Sequence, residues 1–79
     1  MGTLPTIDLQ QTGRNIQRLR KAAGLTVREL QRVFGFNSPQ AIYKWQNGQA
    51  LPTVDNLLVL SALFQVHIDE ILVCTGSAA

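Results

Sequence analysis

The sequence holds one cysteine, Cys74, and one histidine, His67, so no disulfide can close within the chain and these two residues make a poor metal-ligand pair. Long hydrophobic runs are also missing. The most apolar stretch, Leu57 to Phe64, is too short and too interrupted to span a bilayer, and no basic-then-apolar leader is present, so a cytoplasmic location with no membrane partner is expected. Alternating runs rich in Val, Thr and Tyr do not occur, which argues against a sheet-based fold. The carboxylates Asp55, Asp69 and Glu70 stand without a nucleophile or a paired base, so the chain is read as no enzyme, with no cofactor and no small-molecule ligand evident.

Within 79 residues, 46% hydrophobic and 15% charged content is enough for one small core held by packing alone. The net charge of +2 is unevenly spread. All seven basic residues lie between Arg14 and Lys44, giving residues 1–47 a charge of +5, whereas Asp55, Asp69 and Glu70 leave the remainder at −3. One half can therefore face a polyanion, the alternative being ordinary solvated helix faces.

Start and stop signals for short helices recur about every dozen residues, and the class is all-α with five helices. Asp8, three residues before Gln11, caps a first helix running to about Ala23, with Ile16, Leu19 and Ala23 facing inward and Arg14, Gln17, Arg18 and Lys21 outward. Gly13 is a weak point in it, at a cost of about 1 kcal/mol relative to alanine. Thr26 and Glu29 form a capping box for a second helix over Val27 to Phe34, which Gly35 ends. Ser38-Pro39 opens a third helix with serine as cap and proline at the first helical position, and Gly48 closes it. Thr53 caps a fourth helix striped with Leu57, Leu60 and Leu63, and a fifth spans about Ile68 to Val73. Residues 8–73 form the domain, leaving 1–7 and 74–79 as flexible tails.

Two short helices joined by a brief turn, the second with a polar outer face, form the arrangement that presents side chains to the DNA major groove. On the third helix Ile42 and Trp45 point inward, which leaves Gln40, Ala41, Tyr43, Lys44 and Asn47 outward. Glutamine can bond adenine twice, lysine can donate to guanine, and alanine can pack on a thymine methyl. Tyr43 falls on this face, so its hydroxyl or ring is a candidate DNA contact. Trp45, Phe34 and Phe64 could stack on bases, but at helical spacing beside Ile42 and Leu60 they read as core. Arg28 and Arg32, one turn apart, are either solvated or on phosphate, with phosphate favoured for Arg28. Cys74 reads as a buried or incidental thiol.

The order and spacing of several short motifs resemble the Cro and phage-repressor type of helix-turn-helix domain, from Gly13 to Leu72. They are Ile16-x-x-Leu19-Arg20, Gly24-Leu25-Thr26-Val27-x-Glu29-Leu30, Ile42-x-x-Trp45-Gln46-Asn47-Gly48, Leu51-Pro52, Asn56-Leu57 and Ile71-Leu72. The resemblance implies a lambda-repressor-like fold in a bacterial or phage transcriptional regulator, with base-reading roles for Ser38, Pro39, Gln40 and Lys44. It also implies phosphate contacts at Thr26, Val27, Arg28, Asn47, Thr53 and Val54, and a helix-capping role for His67, where a serine is usual. This chain departs from the family at Val27, where a phosphate-binding glutamine is usual, and at Gln31, where a small alanine is usual. Its turn at Phe36-Asn37-Ser38 is one residue longer than the common form, and Gln46 replaces a glutamate that would pair with Arg20.

The function expected is sequence-specific binding of double-stranded DNA by a homodimer acting as a small regulator, read as a repressor. One short helix reads too few base pairs, and a twofold dimer sets half-sites roughly 34 Å apart. Ile68, Ile71, Leu72 and Val73 give the last helix more apolar surface than so short an element buries alone, and are the expected dimer interface. The competing reading is a protein-interaction module, such as an antitoxin or regulatory adaptor, favoured by Val27 and the modest net charge.

Overall fold

The computed structural model describes residues 5–75. In chain order it holds β1 (Thr6–Ile7), α1 (Leu9–Ala22), α2 (Val27–Phe34), α3 (Gln40–Gln46), α4 (Val54–Phe64), α5 (Ile68–Ile71) and β2 (Cys74–Thr75). Each helix contributes to one core: Ile16 and Leu19 from α1, Leu30 from α2, Ile42 and Trp45 from α3, Leu57, Leu60 and Phe64 from α4, and Ile71 from α5. None of these elements could bury its apolar stripe alone, so the helices are stable through one another.

The capping signals set the first two helices. The carboxylate of Asp8 accepts the amide hydrogen of Gln11 at 2.9 Å, and the Thr26 hydroxyl and Glu29 carboxylate each accept the other residue's amide hydrogen. Ala23 is the C-cap of α1 and is exposed: it keeps the side of Ile16 and Leu19 but stands beyond the last helical residue, Ala22. The opening of α3 differs from the expectation. Pro39 occupies the cap position and Gln40 is the first helical residue, while the Ser38 hydroxyl accepts from the Gln40 amide at 3.4 Å. Thr53 flanks α4 without capping it: its hydroxyl donates to the Asp55 carboxylate at 2.5 Å instead. Leu63 is only half-buried, and Phe64 completes that stripe.

Of the expected tails, 1–4 and 76–79 lie outside the described residues, and the described parts are tied to each other. Thr6 pairs with Thr75 and Ile7 with Cys74 in an antiparallel ladder. The Asp8 amide extends it, donating to the Val73 carbonyl at 2.7 Å. Fully buried Thr12 accepts the Val73 amide hydrogen at 2.9 Å, and Asn15 Nδ2 donates to the carbonyls of Glu70 and Ile71 at 2.6 and 3.0 Å. These bonds end α5 two residues earlier than predicted, since Leu72 turns to extended backbone to reach β2. At the other end of α5, Glu70 accepts the His67 amide hydrogen at 2.7 Å, so His67 does stand at a helix cap.

Candidate nucleic-acid interface

The chain from α2 to α3 places two short helices around a turn that glycine makes possible. Gly35 adopts φ +70°, a left-handed conformation that other residues enter only at a cost, and it stops α2 after two turns. Phe36 then folds back so that its ring stacks on Phe34, with centroids 5.1 Å apart and planes 9° apart. Both rings meet buried Trp45 edge-on, at 5.4 and 5.9 Å. The aromatic residues are thus the clamp between α2 and α3, and Trp45 and Phe64 lie in the core rather than against a ligand.

The two departures from the usual turn belong to one device. Gln31 Nε2 donates to the Phe36 carbonyl at 3.2 Å, so the longer side chain at this position supports the longer turn. The role of Gln31 and of Phe36 as positioning residues was not anticipated from the sequence. The signal was that both departures fall within one helical turn of Gly35.

On α3, Gln40, Tyr43 and Lys44 are exposed, as is Ser38 just before it. Pro39 and Ala41 are half-buried, and Ala41 packs partly against the core, so its outward assignment holds only for part of its surface. Ile42 and Trp45 point inward, at 0% and 5% exposure. The face left to solvent bears an amide, a phenol and an ammonium in a row, which is chemistry suited to base edges.

The residues assigned to phosphate lie at the start of α2, just after α3 and at the start of α4. Thr26 is exposed, but its hydroxyl is engaged with Glu29: its oxygen accepts from the Glu29 amide and its hydrogen faces the Glu29 carboxylate. Arg28 is exposed on the same end of α2, whereas Val27 is half-buried against the core and offers no side-chain donor. Asn47 is exposed at the end of α3. Thr53 and Val54 are exposed, but the hydroxyl hydrogen of Thr53 is held by Asp55, which leaves the backbone amides of the first turn of α4 as the donors at this position. That same hydrogen bond holds the Asp55 carboxyl below its ordinary range.

Behind α3, Arg20 is buried, with only 9% of the residue exposed. Its Nε donates to Gln46 Oε1 at 3.0 Å and another nitrogen to the Leu25 carbonyl at 2.7 Å, which ties α1 to both the loop before α2 and the end of α3. Among the described residues every buried side-chain polar atom has a partner.

This arrangement of residues 16–71 matches the helix-turn-helix family. The chain belongs to the Cro/C1-type helix-turn-helix family. Among solved structures, it is similar to the restriction-modification controller protein C.AhdI from Aeromonas hydrophila, with 25% identity over 81% of this chain and 96% of that one at a TM-score of 0.69. It is also similar in fold to the S. venezulae BldD DNA-binding domain, with 21% identity over 82% of this chain and 96% of that one at a TM-score of 0.68. None of the curated proteins compared matches the chain. The Cro/C1-type fold is that of a DNA-binding regulator and not of an enzyme. Among the described residues no helix is long and apolar enough to cross a membrane.

The residues assigned to dimerisation lie on α5 and in the segment that follows it. Ile68, Leu72 and Val73 are half-buried and keep some apolar surface, but Ile71 is at 0% exposure and belongs to the chain's own core. It therefore has nothing left to offer a partner. Cys74 is exposed rather than buried.

Proposed function

We propose that this Cro/C1-type domain is a cytoplasmic transcriptional regulator of bacterial or phage type, which binds a pseudo-palindromic operator as a homodimer and represses from it. The observation that carries the reading is the exposed polar row Gln40, Tyr43 and Lys44 on α3, held by the aromatic clamp to α2, on which Arg28 is exposed. Ser38, Pro39, Gln40, Ala41, Tyr43 and Lys44 face the base edges in this reading. Thr26, Arg28, Asn47 and the amides at Thr53 and Val54 hold phosphates, with Val27 serving as packing. The concentration of all basic residues in the half of the chain that contains this face supports the same orientation.

A homodimer through Ile68, Leu72 and Val73 would bring two copies of α3 to successive turns of one groove face. Sedimentation as a monomer at high micromolar concentration would remove this part of the reading. The decisive experiment is selection from a randomised duplex pool at about 150 mM salt, where non-specific binding is already weak. Enrichment of half-sites about one turn apart is the expected result, whereas no enrichment by folded protein would leave an interaction module, an antitoxin or adaptor, as the function.

A further inference from the structure

We infer that the recognition face carries a receptor for the C5-methyl group of thymine, floored by Phe36 and Ala41. This rests on the reading of α3 as the element that enters the major groove. Between the turn and α3 lies a shallow recess lined by Phe36, Asn37, Ser38, Gln40, Ala41 and Lys44. Its floor is apolar and fixed in place: Phe36 is locked by its stack on Phe34 and its edge contact with Trp45, and Ala41 rests against the core. The rim is polar, since Asn37, Ser38, Gln40 and Lys44 are all exposed.

Base edges in the major groove present nitrogen and oxygen acceptors, amino donors and a single kind of apolar group in ordinary DNA, the thymine methyl. An apolar floor on a face that meets this groove has that one match. The rim selects thymine further. The Lys44 ammonium is a donor only and suits the O4 acceptor beside the methyl, whereas the N4 amine of a methylated cytosine would point a second donor at it. The Gln40 amide, with both a donor and an acceptor, is free to take an adjacent adenine. Phe36 thus gives the turn, outside the helix that reads the bases, a part in recognition.

The test uses the enriched duplex from the selection, with each thymine replaced in turn by deoxyuridine, which removes only the methyl. One position in each half-site is expected to lose about four-fold in affinity, the factor for one buried methyl group. Replacing that thymine by 5-methylcytosine, with guanine opposite, is expected to weaken binding as well. In Ala41→Val, which fills the recess, the uracil penalty at that position should vanish while the protein keeps its cooperative melt. An operator with no uracil-sensitive position overturns the methyl receptor and leaves sequence-specific binding standing. A penalty that persists unchanged in folded Ala41→Val places the methyl elsewhere and overturns it too, and 5-methylcytosine binding as well as thymine overturns the choice of base. No enriched operator at all removes both readings together.

Discussion

Gly13 of α1 lies directly against the carbonyl of Trp45 in α3: a Cβ on Gly13 would stand 2.4 Å from that oxygen and 2.6 Å from the carbonyl oxygen of Gln46. Both obstacles are backbone atoms at the end of the recognition helix, so neither can swing aside. The glycine that helix propensity marks as a weakness is the place where α1 and α3 touch.

Gly13→Ala is therefore expected to destabilise the domain by about 1–3 kcal/mol, the range for overpacking a tight contact, although alanine favours a helix interior by about 1 kcal/mol over glycine. Denaturant unfolding checks this. A stability equal to or above that of the wild type would mean that α1 and α3 do not meet so closely.

Arg20 carries its charge into the interior with only neutral acceptors, Gln46 and the Leu25 carbonyl. In Gln46→Glu a carboxylate would stand where the amide oxygen does, turning the neutral acceptor into a charge-assisted one. A gain of about 1 kcal/mol near neutral pH is expected, fading as the pH falls through the carboxylate range and the new acid takes up its proton. Thermal unfolding at pH 7 and pH 4 reads this, and an equal melting temperature for the two proteins at pH 7 would count against it.

Glu29 is held below its ordinary pKa of 4.5, first by the hydrogen bond from the Thr26 backbone amide, then by that of the Thr26 hydroxyl, with Arg32 adding a favourable charge and partial loss of hydration opposing them. A depressed carboxylate pKa means that the folded state prefers the ionised form. Its contribution is complete above 4.5 and is lost as the pH falls through the lower folded-state value. The melting temperature of the wild type is expected to fall more steeply below pH 4.5 than that of Glu29→Gln, which keeps an acceptor but cannot titrate. Parallel pH profiles would show that the capping carboxylate does not contribute in this way.

The two sets of DNA contacts should separate by mutation. Gln40→Ala or Lys44→Ala is expected to cost about 1–3 kcal/mol on the preferred operator and to relax discrimination at one base position. Arg28→Ala should weaken all sequences alike and lower the slope of affinity against salt by about one. Binding measured on operator and scrambled duplexes at several salt concentrations distinguishes the two, and unchanged base preference in both α3 variants would contradict their assignment.

Local signals were enough for much of this protein. The Asp8 cap, the Thr26–Glu29 box and Gly35 are interactions within one helical turn, so the sequence alone determined where α1 begins and where α2 begins and ends. Apolar periodicity placed Ile16, Leu19, Leu57 and Leu60 inward, and it left Gln40, Tyr43 and Lys44 outward. The family and its DNA-binding fold were legible in the spacing of those same residues. Contacts between residues far apart in the chain were not legible, because neither propensity nor spacing records which backbone will approach which. Only the tertiary structure decided that Gly13 gives α3 its seat, that Gln31 supports the lengthened turn and that Arg20 is buried on Gln46. It also decided that Thr6 and Ile7 pair with Thr75 and Cys74, and that Ile71 is spent on the core instead of a partner. Each of these is a match between two surfaces, and a surface exists only once the helices have packed.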